Sequence, residues 1–233
     1  MRPFAKTIAV QLKLFGREPA AVFFTLLLPL MLLLLNGQGG NTPEILVPGL
    51  TAFILATAGW NLAEAVATDR DKGVLRRLRA TPLPAWTVLT AHAGVQALVT
   101  GIGLILLVAA GAAFFDLALP AAPIATALSL ALGVASFLSI SFVLAALAPN
   151  ARAANAVAAA LYFPMIFLSG ATWPREALPS VAARIGDFLP LTYVVRALIE
   201  PWVSGRVDVV ALAVLSGMLV AGVLISSRMF RWE

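Results

Sequence analysis

The chain has 233 residues, of which 61% are hydrophobic and only 12% are charged, and its mean hydropathy is +0.96. Soluble domains carry about 25% charged residues, so this composition excludes an ordinary soluble protein and indicates a chain that crosses a membrane several times. With no cysteine and a single histidine, the chain offers no disulfide framework and no thiolate or histidine-cluster metal site, and a net charge of +5 is not by itself a sign of nucleic-acid binding.

The first 18 residues predict an amphipathic helix that lies in the membrane surface. At about 100° per residue, Phe4, Ile8, Leu12 and Phe15 share one face, and basic side chains cluster on the opposite face. The alternative is a basic topology signal without a fixed helix. No small-residue cleavage site follows this long charged region, so we expect no cleavable signal peptide and a first apolar run that is retained as a span.

Six apolar runs reach or approach the roughly 18 residues that mark a membrane span. They predict an all-α integral membrane protein with a single transmembrane domain over residues 1–233. The predicted spans are Ala20–Asn36, Leu46–Ala67, Ala85–Phe115, Ala121–Ala148, Ala153–Ala171 and Val207–Ser227.

Basic residues alternate between the loops as the positive-inside rule requires. Twelve lie in the amino-terminal segment, the second and fourth loops and the tail. The first and third loops have none, and the fifth loop has four, offset by four acidic residues. This distribution predicts a multi-pass protein of the cell (plasma or inner) membrane with both termini in the cytoplasm.

A dense basic segment joins the second and third spans. If residues 69–83 form a helix, Val74, Leu75 and Leu78 share one face, with arginines around it, and the prolines that follow end the helix. Such a helix would present an apolar docking face to a cytoplasmic partner. The alternative is that the arginines only fix topology and contact anionic lipid.

Two of the predicted spans contain polar side chains that need partners. Glu64 lies near the cytoplasmic end of the second span, and we expect it to pair with Arg70 or with the amino-terminal helix; the alternative is an interfacial carboxylate that reaches water. His92 and Gln96 lie one turn apart in the third span. We expect His92 to form a helix–helix hydrogen bond rather than a proton relay, and no aspartate is an evident partner at its depth.

The fifth loop is predicted to form two short, half-apolar helices rather than a plain linker. The first is expected to begin at Trp173 and the second to follow Pro190, with apolar residues at helical spacing in both. Together they predict an external re-entrant or interfacial hairpin over residues 173–206, which at membrane depth needs cover from protein or a water-filled cavity.

Two motifs in these segments resemble those of a known family. The first runs from Asp71 to Leu83 (DKGVLRRLRATPL), and the second from Leu168 to Pro174 (LSGATWP), followed by LP and then by LPLTY ending at Tyr193. With the amino-terminal interfacial helix, they resemble the membrane subunit of a type-2 ATP-binding-cassette exporter, the group that includes drug-resistance, polysaccharide and nodulation-factor exporters. One departure is Lys72, where that family often has glutamate.

The resemblance implies a half-transporter: two such permease subunits, identical or siblings, on two ATPase subunits. This chain has no G-x-x-x-x-G-K-[ST] phosphate loop, so ATP and Mg²⁺ would bind to the partner chain, and the permease would have no catalytic site, cofactor or metal of its own. Glu64 and Arg70 would transmit motion to the second span. The residues implied in contact with the ATPase are Gly73, Val74, Leu75, Arg76, Arg77, Leu78, Arg79, Thr81 and Pro82.

The translocation path is expected between the two permeases, lined by the second and fifth spans. Its candidates, any of which could instead be packing residues, are Phe53, Thr57, Asn61, Asn155, Tyr162, Phe163 and Phe167. An external gate is predicted from the second motif, at Ser169, Gly170, Pro174, Pro190 and Tyr193. Aromatic and small polar residues favour efflux of a drug, lipid-like or other amphiphilic cargo, as in multidrug resistance, over a long polysaccharide.

Two other classes of function compete with an ATP-driven exporter. A secondary transporter or channel usually shows carboxylates or broken helices at the midplane, and most of the predicted spans carry no charge. A membrane enzyme with a nucleophilic serine needs a base beside it, and the single histidine has no evident partner. An adjacent gene for an ATPase with a phosphate loop would favour the exporter.

Overall fold

The computed structural model describes residues 2–37, 42–74, 86–172, 175 and 178–229, and no strand occurs in these ranges. The all-α prediction is therefore confirmed. The helices are α1 (Arg2–Phe15), α2 (Pro19–Asn36), α3 (Pro43–Asp71), α4 (Trp86–Phe115), α5 (Pro123–Leu147), α6 (Ala151–Leu168), α7 (Ser180–Gly186), α8 (Pro190–Val203) and α9 (Val209–Met229).

Six of the helices in the described ranges, α2 to α6 and α9, are long and apolar enough to cross a membrane, with mean hydropathy between 1.4 and 2.5. The predicted number of spans is thus confirmed, and the differences lie at the ends. α3 begins earlier than the predicted second span, at Pro43, because proline in the first turn has no N–H that needs a partner. It also continues past Ala67 to Asp71, so its last turn carries charge.

Helix α3 is the centre of the bundle. It packs against α2, α4, α5, α6 and α8, and 83% of its most apolar window is buried, against 17–39% for the other five candidate spans. Small residues let neighbouring groups approach α3 closely: a methyl group added at Gly49 would lie 2.9 Å from the backbone carbonyl oxygen of Ala171, and one at Gly59 would lie 2.9 Å from the hydroxyl of Ser141. Helix α9 packs mainly on α5, and the Ser136 hydroxyl donates a hydrogen bond to the carbonyl oxygen of Leu215 at 2.8 Å.

Helix α1 packs on α4, and residues 2–15 have the predicted helical conformation. Its place in the membrane surface remains a prediction. The chain then turns into α2, where residues Phe23–Leu27 form a π-helical turn. Such turns often occur at functional positions because they rotate one side chain out of the regular helical register. Here the turn contains Thr25, which is fully buried.

The fifth loop forms two helices, as predicted, but the first begins later than expected. α7 begins at Ser180 rather than at Trp173, and residues 173, 174, 176 and 177 lie outside the described part of the chain. α8 begins at Pro190, as proline at the first helical position favours. Its apolar face, which includes Leu191, Val194 and Leu198, is buried against α3 and α5, so protein covers this helix.

Charged and polar groups gather at one end of the bundle, where α3 and α5 end and α4 and α6 begin. We call this end, formed by Glu18 and residues 61–74, 89–96 and 145–155, the basic end, after the positive charge of the sequence around it. The α7–α8 hairpin lies at the opposite end.

Candidate functional site

The last turn of α3 leads into a glycine turn whose backbone conformation is defined, within the predicted coupling segment. Gly73 has φ of +65°, in the left-handed region that glycine adopts without a side-chain clash, and its N–H donates to the carbonyl oxygen of Arg70 at 3.0 Å. Val74 follows it. The other predicted coupling residues lie outside the described residues: Leu75, Arg76, Arg77, Leu78, Arg79, Thr81 and Pro82.

The same turn holds the junction between α5 and α6 through complementary charges. The Arg70 guanidinium donates to the carbonyl oxygen of Ala145 at 3.0 Å and to that of Ala148, at the carboxyl end of α5. The Asp71 carboxylate accepts from the N–H of Ala151 at 2.7 Å, at the amino end of α6. A cation at a helix carboxyl end and an anion at an amino end each interact favourably with the helix dipole, so α3 holds the ends of both helices.

Glu64 forms a different contact from the one predicted. Its Oε2 atom accepts a hydrogen bond from the Asn155 side chain of α6 at 2.6 Å. Among the described residues, no ion pair joins Glu64 to Arg70 or to α1, so neither expected partner is found there. Arg70 lies nearly two helical turns further along α3, where the carbonyl groups at the carboxyl end of α5 are within its reach. One turn before Glu64, the Asn61 amide donates to the hydroxyl of Thr25 in α2 at 3.1 Å.

His92 has an acidic partner, contrary to the expectation that none lies at its depth. Its Nε2 atom is 2.8 Å from Oδ2 of Asp69, and the two side chains are 11% and 26% exposed. The contact joins α3 to α4, so the predicted helix–helix hydrogen bond of His92 is confirmed. The depth was misjudged because α3 extends beyond the predicted end of the second span, while α4 carries His92 in its second turn.

A cleft of about 280 Å³ opens beside this pair, between α1, α2, α3 and α4. Carboxylates, amides, a lysine and apolar side chains all contribute to its walls. The side-chain carbonyl oxygens of Gln11 and Gln96 are buried, and no donor for either lies among the described residues. The lining residues are Gln11, Leu14, Phe15, Glu18, Ala21, Asn61, Glu64, Ala65, Thr68, Asp69, Lys72, His92, Val95 and Gln96.

The family of this chain follows from its similarity to known proteins. The family model for the ABC-2 type transporter matches residues 7–201, from within α1 to the end of α8. The chain belongs to the ABC-2 type transporter family. It is thus the membrane-spanning permease subunit of an ABC transporter, the part that functions with an ATPase. A comparison with curated proteins gives no significant match.

Three path candidates of the permease lie inside its own helical core. Phe53 and Thr57 of α3 are 5% and 7% exposed, and Tyr162 of α6 is 2% exposed. The Tyr162 hydroxyl lies 2.9 Å from the hydroxyl of Ser141 in α5. These side chains pack the interfaces of α3 with its neighbours and line no outer surface of the subunit.

The other path candidates divide into two groups. Asn61 and Asn155 form the interhelical hydrogen bonds at the basic end described above. Phe163 and Phe167 lie on the outer face of α6, 55% and 36% exposed, with ring centroids 5.2 Å apart. The predicted lining is therefore not one surface of the permease, and only these two phenylalanines are available to a neighbouring chain or to lipid. Their role in transport remains a prediction.

The predicted gate residues in the described part of the permease meet where α6 ends and α8 begins. Ser169 is fully buried, and Gly170 has φ of +88°, which turns the chain. Pro190 begins α8, and the Tyr193 hydroxyl donates to the carbonyl oxygen of Asp187 at 3.1 Å. Pro174 lies outside the described residues. The gating function of this group remains a prediction.

No partner of Asp69 or Asp71 within the permease was predicted, although a signal was available. Carboxylates in the last turn of a helix oppose its dipole unfavourably unless a partner compensates them. Both lie in or beside the final turn of α3, and both have such a partner, in α4 and α6 respectively.

Proposed function

We propose that this permease is a subunit of an ATP-driven exporter. Two copies, or one copy and a sibling, would assemble with two ATPase subunits that bind ATP and Mg²⁺. Both termini and the segment over residues 69–83 would lie in the cytoplasm of a cell whose plasma or inner membrane holds the complex. The ATPase would push on Leu75, Leu78 and the arginines between and after them.

The observation that carries this proposal is the set of contacts made by the last three turns of α3. Asn61 bonds to α2, Asp69 to α4, Arg70 to α5 and Glu64 to α6. The proposed coupling segment, residues 69–83, begins within the last of these turns and continues beyond it. A force on that segment would therefore reach four of the other five spans through short polar contacts, and coupling requires such a rigid connection.

The proposed cargo is an amphiphilic molecule such as a drug or a lipid-like compound. Support comes from the exposed pair of phenylalanines on α6 and from a cleft at the basic end that combines apolar walls with charged groups. Both suit a molecule with an apolar body and a polar head.

The test is ATP hydrolysis by a candidate ATPase, taken first from an adjacent gene, purified with the permease in lipid nanodiscs. We expect Leu78→Asp to abolish hydrolysis that depends on the permease, because a carboxylate on the docking face would be buried without a partner. Leu119→Asp is the matched control, since Leu119 is 73% exposed at the opposite end of the bundle. Hydrolysis that ignores Leu78→Asp, or failure of any ATPase to co-purify, would instead favour a carrier or channel without ATP coupling.

A further inference from the structure

The cleft at the basic end has the position and size of a ligand site. Its walls come from the amphipathic helix α1, the start of α2, the end of α3 and the start of α4, and its volume is about 280 Å³. Sites for small ligands begin at roughly this size. Because α1 is predicted to lie in the membrane surface, a molecule from the lipid leaflet could enter beside it.

The charges that line this cleft favour a cation. Among the described lining residues, three carboxylates, those of Glu18, Glu64 and Asp69, stand against the ammonium of Lys72 and the imidazole of His92. The charge of these described residues is therefore net negative in either protonation state of His92. Among the described residues, no three histidine or acidic side chains are placed to hold a metal ion, so the charge distribution suits an organic cation better.

The neutral groups of the cleft also need a hydrogen-bond donor. Gln96 is only 5% exposed, and no described residue donates a hydrogen bond to its Oε1 atom. The Oε1 atom of Gln11 is buried and likewise has no donor among the described residues. Buried acceptors of this kind nearly always have partners in native proteins. An N–H group of a bound molecule would supply one.

Apolar side chains form another part of the walls. Leu14 and Phe15 come from α1, Ala21 from α2 and Val95 from α4. They would cover the hydrocarbon part of a ligand whose charged end reaches Glu64 and Asp69. The site thus combines a hydrophobic wall with hydrogen-bond acceptors and negative charge.

We propose that this cleft binds the primary or secondary ammonium group of an amphiphile. The inference rests on the proposed export function, for which it names a substrate class and a point of entry. The ammonium would donate to the carboxylate of Glu64 and to the orphan oxygen of Gln96. The source of the ammonium is either a membrane aminophospholipid or an organic amine from the cytoplasm.

The probe for this proposal is monodansylcadaverine, an amphiphile with one primary ammonium, and its N-acetylated form is the uncharged control. Fluorescence anisotropy would report binding to the permease alone in phosphatidylcholine nanodiscs. We expect saturable binding of the amine, and binding of the acetylated form weaker by about tenfold or more, since a charge-assisted hydrogen bond is lost.

Substitutions in the cleft locate the binding. Glu64→Gln and Gln96→Leu should each weaken binding of the amine by about tenfold. Glu200→Gln should leave binding unchanged, because this exposed carboxylate lies at the far end of α8. A cooperative thermal unfolding transition would show that each variant is folded. Because Glu64→Gln and Gln96→Leu lie on different helices, a loss of binding in both would not come from a local disturbance at one position. Equal binding of the amine and its acetylated form, or equal affinity in all the variants, would overturn the proposal.

Lipid composition then identifies the source of the ammonium. Competition by phosphatidylethanolamine in the nanodiscs assigns the cleft to a lipid headgroup, whereas unchanged binding assigns it to a soluble amine. The measurement needs no ATPase, so its failure is distinct from a failure of ATP coupling.

Discussion

At the scale of single residues, a few polar side chains at the basic end connect the helices. The amide of Asn61 donates to Thr25, that of Asn155 donates to Glu64, and Asp69 bonds to His92. Between membrane helices such bonds average only about 0.6 kcal/mol each, because an unfolded chain in the membrane also finds partners. Their main effect here is therefore on geometry rather than on stability, because each fixes the position of one neighbouring helix relative to the end of α3.

Arg70 should also contribute to stability, because its charge compensates two carbonyl oxygens at the end of α5. Hydrogen bonds to charged groups contribute about 1.5–3 kcal/mol to the free energy of unfolding. We expect Arg70→Ala to lower the unfolding temperature of the purified permease by about 2–4 °C for each kcal/mol lost. Tryptophan fluorescence during heating in detergent measures this shift.

The control for this substitution is Arg152→Ala, since Arg152 is exposed in the first turn of α6 at the same end of the bundle. It removes the same charge and leaves the α5 carbonyls paired, so the unfolding temperature should stay nearly constant. Equal shifts for the two variants would mean that net charge, and not the contact with α5, determines the effect.

At the scale of elements, the burial of α3 explains which helix can carry polar groups. The mean hydropathy of its best window is 1.6, against 2.5 for α9, yet α3 is 83% buried and α9 only 17%. Lipid requires apolar surface, whereas a helix surrounded by protein can satisfy polar side chains on its neighbours. The least lipid-exposed helix is therefore not the most apolar one.

Substitution of Gly59 would test how closely α3 must approach α5 and α6. An added methyl group there would lie 2.9 Å from the hydroxyl oxygen of Ser141 and 3.0 Å from that of Tyr162. Both atoms belong to one buried hydrogen bond and have little room to move. We expect Gly59→Ala to lower the free energy of unfolding by about 1–3 kcal/mol, the usual cost of overpacking. Chemical denaturation in mixed micelles would measure it.

Gly217→Ala in α9 is the matched control, because nothing lies within 4 Å of a methyl group added there. It should be neutral or stabilising by up to about 1 kcal/mol, since alanine favours a helix over glycine. A stable Gly59→Ala variant would show that the helices separate easily and that close packing around α3 is not required.

Hydropathy and proline positions were enough to predict the six helices, but not the arrangement around α3. The spacing of apolar residues and the composition indicate that a run such as Pro43–Asp71 is apolar and helical. They do not tell which helices touch it, since that depends on matching of shapes across the bundle. The contact of Asp69 with His92 was missed for this reason, as was the burial of Tyr162, whose position in a span had favoured a place along the transport path.

At the scale of the whole molecule, the basic end and the hairpin end differ in how their charges are paired. At the hairpin end, exposed ion pairs tie the loop together: Arg175 with Asp187 at 2.6 Å and Arg196 with Asp208 at 2.7 Å. At the basic end, Asp69 pairs with His92, and the charges of Arg70 and Asp71 are directed at the ends of other helices. This asymmetry suits a molecule in which one end fastens the loops and the other receives force from a partner.

The orientation of these two ends in the membrane is testable by labelling, because the chain contains no cysteine and any introduced thiol is the only one. Gly16→Cys lies in the turn after α1, where an added side chain meets only ordinary contacts, and Ser180→Cys lies at the exposed start of α7. Neither changes the charge, so neither alters the positive-inside signal.

In right-side-out vesicles, a membrane-impermeant maleimide should label Ser180→Cys at once and Gly16→Cys only after detergent opens the membrane. The reverse pattern would put the end of α3 outside the cell, where no ATPase could reach it, and the coupling proposal would fail with the topology.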